Sequence, residues 1–170
     1  MLPGGTLFYE ETLSFERMPN STPAERDKRI LYSAAWMEGA KRKTASCDVV
    51  FVDPDNGLEV ISVDRQHKQG PKYVFFDELA SYLERDQSLI VYHHLCRTGT
   101  AEEQINARFT QIKNRLGASR GILALLYRRG TLRAFFIIPS AKHEKILFER
   151  AEQLARQSPW SKHFDLFVCR

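Results

Sequence analysis

Cysteine is scarce in this chain of 170 residues. Cys47, Cys96 and Cys169 are odd in number and widely separated, and no C-x-x-C spacing occurs, so neither a disulfide framework nor a cysteine-based zinc site is expected. Long apolar runs are also missing: none approaches the roughly 18 residues of a membrane span. The opening Met1-Leu2-Pro3-Gly4-Gly5 has neither a basic nor an apolar leader region, and the chain reads as cytoplasmic. No G-x-G motif follows a strand, and Ser62 is not in a G-x-S-x-G elbow, which removes the usual marks of dinucleotide binding and of serine hydrolysis. Without internal repeats, low-complexity tracts or a linker-like composition shift, residues 1–170 read as a single domain.

What is present is ordinary globular material: 43% hydrophobic, 27% charged and 11% aromatic residues, enough to build a core without staples. The net charge of +4 is mild, but its distribution is uneven. Arg108, Lys113, Arg115, Arg120, Arg128, Arg129 and Arg133 follow one another with no acidic residue between them, and Lys41-Arg42-Lys43 forms a second cluster. Arg108, Lys113, Arg115, Arg128 and Arg129 are therefore candidates for contact with a nucleic-acid backbone, against the simpler reading of a solvated basic face.

The most informative stretch runs from Asp48 to Glu59. Val49-Val50-Phe51-Val52 is an uninterrupted apolar run, as expected of a strand covered on both faces, and it enters the polar turn Asp53-Pro54-Asp55-Asn56-Gly57. Pro54 stiffens that turn, and Asn56-Gly57 is a favoured turn pair. In an open α/β sheet, ligands bind beyond the carboxyl ends of such strands. A second run, Ser88 to Tyr92, ends in His93-His94. If the two strands are parallel, their ends open on one crevice. Strand alternation then lets one of the two histidines join Asp53 and Asp55.

The remaining pattern supplies the frame. Thr6 to Phe15 reads as a strand or two short ones. Thr22-Pro23-Ala24-Glu25 opens a helix reaching about Lys43, with Ile30, Ala34 and Met37 on its apolar face. Residues 61–71 read as a surface loop, Lys72–Phe76 as a short strand or helix entry, and Asp77–Arg85 as a helix. Thr100 and Glu103 cap another helix, whose Ile105, Phe109, Ile112 and Leu116 face inward until Gly117 stops it. Gly121–Tyr127 and Leu132–Ile138 read as an antiparallel hairpin, Ala141–Arg156 as a helix and Phe164–Cys169 as a last strand. The expected fold is α/β: a mixed, mainly parallel sheet flanked by helices and ending in an antiparallel strand pair.

From Asp53-Pro54 onward, this order of elements resembles the carboxyl-terminal half of Rossmann-like S-adenosylmethionine-dependent methyltransferases, where a buried strand ends in a D-P-P-Y type loop. The resemblance covers about residues 45 to 170. It implies that the Asp53-Pro54 loop faces a ligand, with Pro54, Asn56, Gly57 and Tyr92 around it, and that nucleic acid is the partner. Asp55 and Asn56 depart from the motif, replacing its second proline and its aromatic residue, and the cofactor-binding glycine turn has no counterpart.

Two further readings stand beside it. Asp53, Asp55 and Glu59 could supply oxygen ligands to Mg²⁺ or Mn²⁺, with Asp53, Asp55, His93 and His94 as catalytic candidates for phosphodiester hydrolysis. Alternatively the chain is a non-enzymatic binding module for a small anionic ligand. A sheet lacking part of the methyltransferase pattern would leave an apolar edge, so a homo-oligomer is expected.

Overall fold

In the computed structural model, which describes residues 4–117 and 121–169, the elements follow one another as α1 (Pro23–Lys43), β1 (Val49–Val52), β2 (Gly57–Leu58), β3 (Tyr73–Val74), α2 (Phe76–Leu83), β4 (Ser88–His94), α3 (Ala101–Leu116), β5 (Ile122–Tyr127), β6 (Arg133–Ile138), α4 (Glu144–Arg156) and β7 (Phe164–Cys169). The capping boxes expected at Thr22 and Thr100 are both formed. Each threonine hydroxyl accepts the backbone N–H of the glutamate three residues on, and that carboxylate accepts the threonine N–H.

The architecture is α/β, with a mixed five-stranded sheet in the order β1-β4-β6-β5-β7 flanked by helices. β1 and β4 are parallel, with Val50 opposite Leu89 and Val52 opposite Val91. The other pairings, β4–β6, β5–β6 and β5–β7, are antiparallel. The parallel share is thus smaller than the sequence pattern suggested. The short connection after β5 forces a hairpin, β6 inserts between β4 and β5, and β7 returns along the far side of β5. Burial on both faces explains the continuous apolar runs of β4, β5 and β6, whereas β1, expected to be covered on both faces, lies at the sheet edge and buries Val50 while leaving Val49 and Phe51 exposed. Val50, Leu89, Val91, Ala124 and Phe136 meet Leu79 of α2 and Ile105, Phe109 and Ile112 of α3. On the other face, Leu123, Leu125 and Ile137 pack on Ala151 and Ala155 of α4. Among the described residues no helix is long and apolar enough to cross a membrane.

Several local expectations are corrected. Residues 6–15 form no strand; they lie as an extended strap on α1. Tyr9 packs edge-on against Trp36 with ring centroids 5.2 Å apart, and Trp36 donates its indole N–H to the Glu11 carbonyl at 2.7 Å. The apolar residues of the strap therefore serve helix packing instead of a ladder. The buried side of α1 carries Arg29, Ser33 and Ala40, while Ala34 is exposed and Ile30 and Met37 are half-buried. Arg29, only 3% exposed, sets this rotation. Its guanidinium donates to the Met18 and Gln66 carbonyls and covers the Phe15 ring, tying the strap and the 61–71 loop to one helix. The β2–β3 pair was not foreseen. It is extended by Asn56 N–H to Lys72 O and Glu59 N–H to Val74 O, both at 2.9 Å, and it anchors the acidic turn.

Replacing Arg29 with leucine would strand two carbonyls and bare Phe15. Arg29→Leu is expected to lower unfolding free energy by about 2–4 kcal/mol. Urea denaturation checks this, and a loss below about 0.5 kcal/mol, the size of an ordinary surface substitution, would show the guanidinium to be dispensable.

Candidate functional site

The end of β1 and the end of β4 do meet, and the contact is made by backbone. His94 donates its N–H to the Asn56 carbonyl at 3.2 Å, and Leu58 donates its N–H to Nδ1 of His93 at 3.2 Å. Gly57 lies between them with φ of +108°, in the left-handed region. A Cβ there would stand 2.2 Å from His93 Nδ1 and 2.6 Å from His93 Cα, so no side chain fits. The turn is clamped onto His93, a buried residue of the α2–α3 face.

The carboxylates are not gathered in the same way. Asp53 is exposed, and its carboxyl is pushed above the ordinary range by partial burial and by neighbouring Asp55. Asp55 pairs with Lys72 at 3.3 Å, whereas Glu59 is drawn to Arg115 at 3.0 Å. Among the described residues no three His, Cys, Asp or Glu side chains come together as a metal-binding group. Pro54 is half-buried in the turn. Tyr92 points to the opposite sheet face, its ring 5.8 Å from that of Phe135. His94 is exposed at the strand end. The basic series divides among elements: Arg108, Lys113 and Arg115 ride on α3, while Arg128 and exposed Arg129 occupy the β5–β6 turn, Arg128 paired with Asp165. Arg120 lies outside the described residues.

What the fold builds is a cleft of about 1180 Å³ between α3 and the segments 59–63 and 73–76, with Asn56, Glu59, His93, His94, Arg108 and Arg115 in its wall. Tyr73, Phe75, Phe76, Val60 and Val63 supply an apolar side. Arg108 is the centre. Its Nη1 donates to the Glu59 carbonyl at 2.9 Å and to the Gln111 side-chain oxygen at 2.6 Å, and its Nε approaches His93 Nε2 at 3.1 Å. Nη2 has no partner among the described residues. Burial is the main cause that lowers the proton affinity of this guanidinium, which stays charged.

His93 is 6% exposed, and burial, reinforced by Arg108 and His94, pulls its pKa down to about 3. Its ring is neutral at physiological pH and carries one N–H. Both ring nitrogens nevertheless face donors, Leu58 on one side and Arg108 on the other. A neutral ring has one ring lone pair to offer, so the two donors compete for it. Arg108 Nε points at the imidazole edge, so this donor is engaged by the ring.

The sequence contained one unread sign of this site. Gln104, Arg108, Gln111 and Arg115 recur at spacings that place them on one side of a helix, and all four line the cleft. They form a polar stripe beside the apolar one.

Two outcomes follow from the clamp. Gly57→Ala is expected to cost more than about 3 kcal/mol, read by thermal or urea unfolding, since both strain and a backbone clash oppose it; a near-neutral result would show that the turn can shift. The His93 pKa lies below its ordinary 6.5, so its contribution to stability is complete above 6.5 and is lost as pH falls towards 3. Half-buried Glu78, pushed up to about 6 from 4.5, has the opposite sign: its contribution is complete below 4.5 and is lost as pH rises through 6. Over the window from 6.5 to 3, His93→Gln should lose less stability than the wild type, by up to about 1.4 kcal/mol per pH unit. Parallel stability curves for the two proteins would refute a neutral, buried His93.

No protein-family model, no curated protein and no solved structure matches the chain, so the functional reading stands on the geometry of this cleft.

Proposed function

We propose that this α/β domain is a binding module for a small anionic ligand, a carboxylate or phosphate compound with an apolar body, held in the cleft beside α3. The observation that carries the reading is the Arg108 guanidinium. Glu59 and Gln111 hold Nη1 and the His93 ring lies on Nε, while Nη2 has no partner among the described residues in a partly desolvated cleft. The Nη2 N–H groups can donate to carboxylate or phosphate oxygens, and immobilising the guanidinium beforehand reduces the ordering cost of binding. Arg115, half-engaged with Glu59 and lying over the Phe76 ring, adds a second positive charge. Tyr73, Phe75 and Val63 offer the apolar surface for the rest of the ligand. Neutral His93, with a pKa of about 3, is a poor general base.

The parallel β1–β4 pair followed by the β5–β6 hairpin agrees with the arrangement a methyltransferase-like relative would have. It supports kinship of fold, and a nucleotide is one anionic ligand consistent with it. The three cysteines are free, which suits a cytoplasmic setting.

Thermal unfolding with inorganic phosphate, succinate, adenosine monophosphate, S-adenosylmethionine or a short DNA tests the reading. A ligand at a hundred times its dissociation constant adds about 2.7 kcal/mol to the folded state. At least one small anion should raise the midpoint, and Arg108→Gln should weaken that anion at least tenfold, roughly the 1.5–3 kcal/mol of a charged hydrogen bond. Stabilisation by DNA alone, abolished by salt, would move the function to the exposed basic residues. No response to any of the five would overturn the proposal.

A further inference from the structure

The five-stranded sheet has two free edges, and their chemistry is complementary. Ser88 donates its N–H to the Asp48 carbonyl, so alternation turns the backbone groups of Val50 and Val52 towards β4 and those of Val49 and Phe51 outward. At the other edge, Arg128 N–H bonds the His163 carbonyl. The same alternation turns Asp165 and Phe167 towards β5 and leaves Leu166 and Val168 facing outward. No hydrogen bond to these four outward residues is formed among the described residues.

Their side chains are also uncovered. Val49 is 37% exposed, Phe51 53% and Val168 46%, an unusual loss of apolar burial at both ends of one sheet. Phe164 and Leu166 pack on the face covered by α4, and Phe51 contacts Phe135 on that same face with ring centroids 6.4 Å apart. Strand alternation therefore places the exposed residues of both edges on one side of the sheet.

Charge decides the pairing. Acidic residues flank β1, Asp48 before it and Asp53 after it; the basic pair Lys162-His163 precedes β7. Antiparallel pairing of β1 with a second β1 through the outward groups sets Val49 opposite Phe51 and brings Asp48 of one copy within one position of Asp53 of the other at both ends, an accumulation of like charge. Pairing of β1 with β7 is favourable. We propose that β1 of one copy of this chain pairs antiparallel with β7 of the next, Phe51 opposite Leu166 and Val49 opposite Val168. That register sets Asp53 and Asp55 beside Lys162-His163 and joins the outward groups of both strands in one ladder. The contact is heterologous, so it propagates head to tail without closing at the dimer. It is independent of any ligand in the α3 cleft.

Sedimentation velocity over a wide concentration range at low salt tests this with the full chain. The wild type should form a concentration-dependent series extending beyond the dimer. Asp55→Lys and Lys162→Glu, opposite one another in this register, should each weaken association roughly tenfold, the effect of turning one cross-strand attraction into repulsion. The double variant, with both changes in one chain, should recover it. Circular dichroism melting confirms that each variant is folded, and Phe51→Lys supplies a second disruption at the edge if a charge reversal fails to fold. A monomer at all concentrations, a species that stops at the dimer, or a double variant no better than its parents would overturn the proposal.

Discussion

The clamp of the acidic turn onto His93 is the contact on which the rest of the candidate site depends. Leu58 N–H and the missing Cβ of Gly57 bring the chain against β4, and that approach leaves Glu59 and its carbonyl facing α3. Arg108 then completes the series from the other side, held at once by Glu59, Gln111 and the imidazole edge. One glycine thus couples a turn, a strand end and a helix. Burial keeps the imidazole neutral, because a second ring proton would lie opposite another donor in a site shielded from water.

Arginine does structural work elsewhere too. Arg29 is buried in α1 yet fully engaged, drawing the amino-terminal strap and the 61–71 loop onto the helix. Arg65 lies over the Phe75 ring and pairs with Asp77, which holds the other end of that loop. Because the loop bounds the cleft, these two residues shape the site without entering it.

At the opposite end of the sheet, Ser88, Ser140 and His143 gather with Asp48 3.6 Å from the imidazole. The residue types match a hydrolytic triad, but Ser88 is fully buried and its hydroxyl accepts the Ser140 N–H at 2.9 Å. The group ties the end of β6 to the start of β4 and orients the chain into α4. Its position, at the amino end of β4, is also remote from the carboxyl ends where the cleft opens.

The sequence by itself determined the helix starts at Thr22 and Thr100, the strands β1, β4, β5 and β6, and, on the condition that β1 and β4 run parallel, the meeting of the acidic turn with the end of β4. All of these rest on local chemistry: a hydroxyl three residues from a glutamate, a β-rich run closed by a turn, a period of two or of 3.6. Only the tertiary structure decided that residues 6–15 lie on a helix, that most sheet pairings are antiparallel, and that Arg108 turns inward while Asp55 and Glu59 are taken by Lys72 and Arg115. A charged side chain carries no mark of the partner that satisfies it. That partner arrives from a distant segment, and its identity depends on which strand lies beside which.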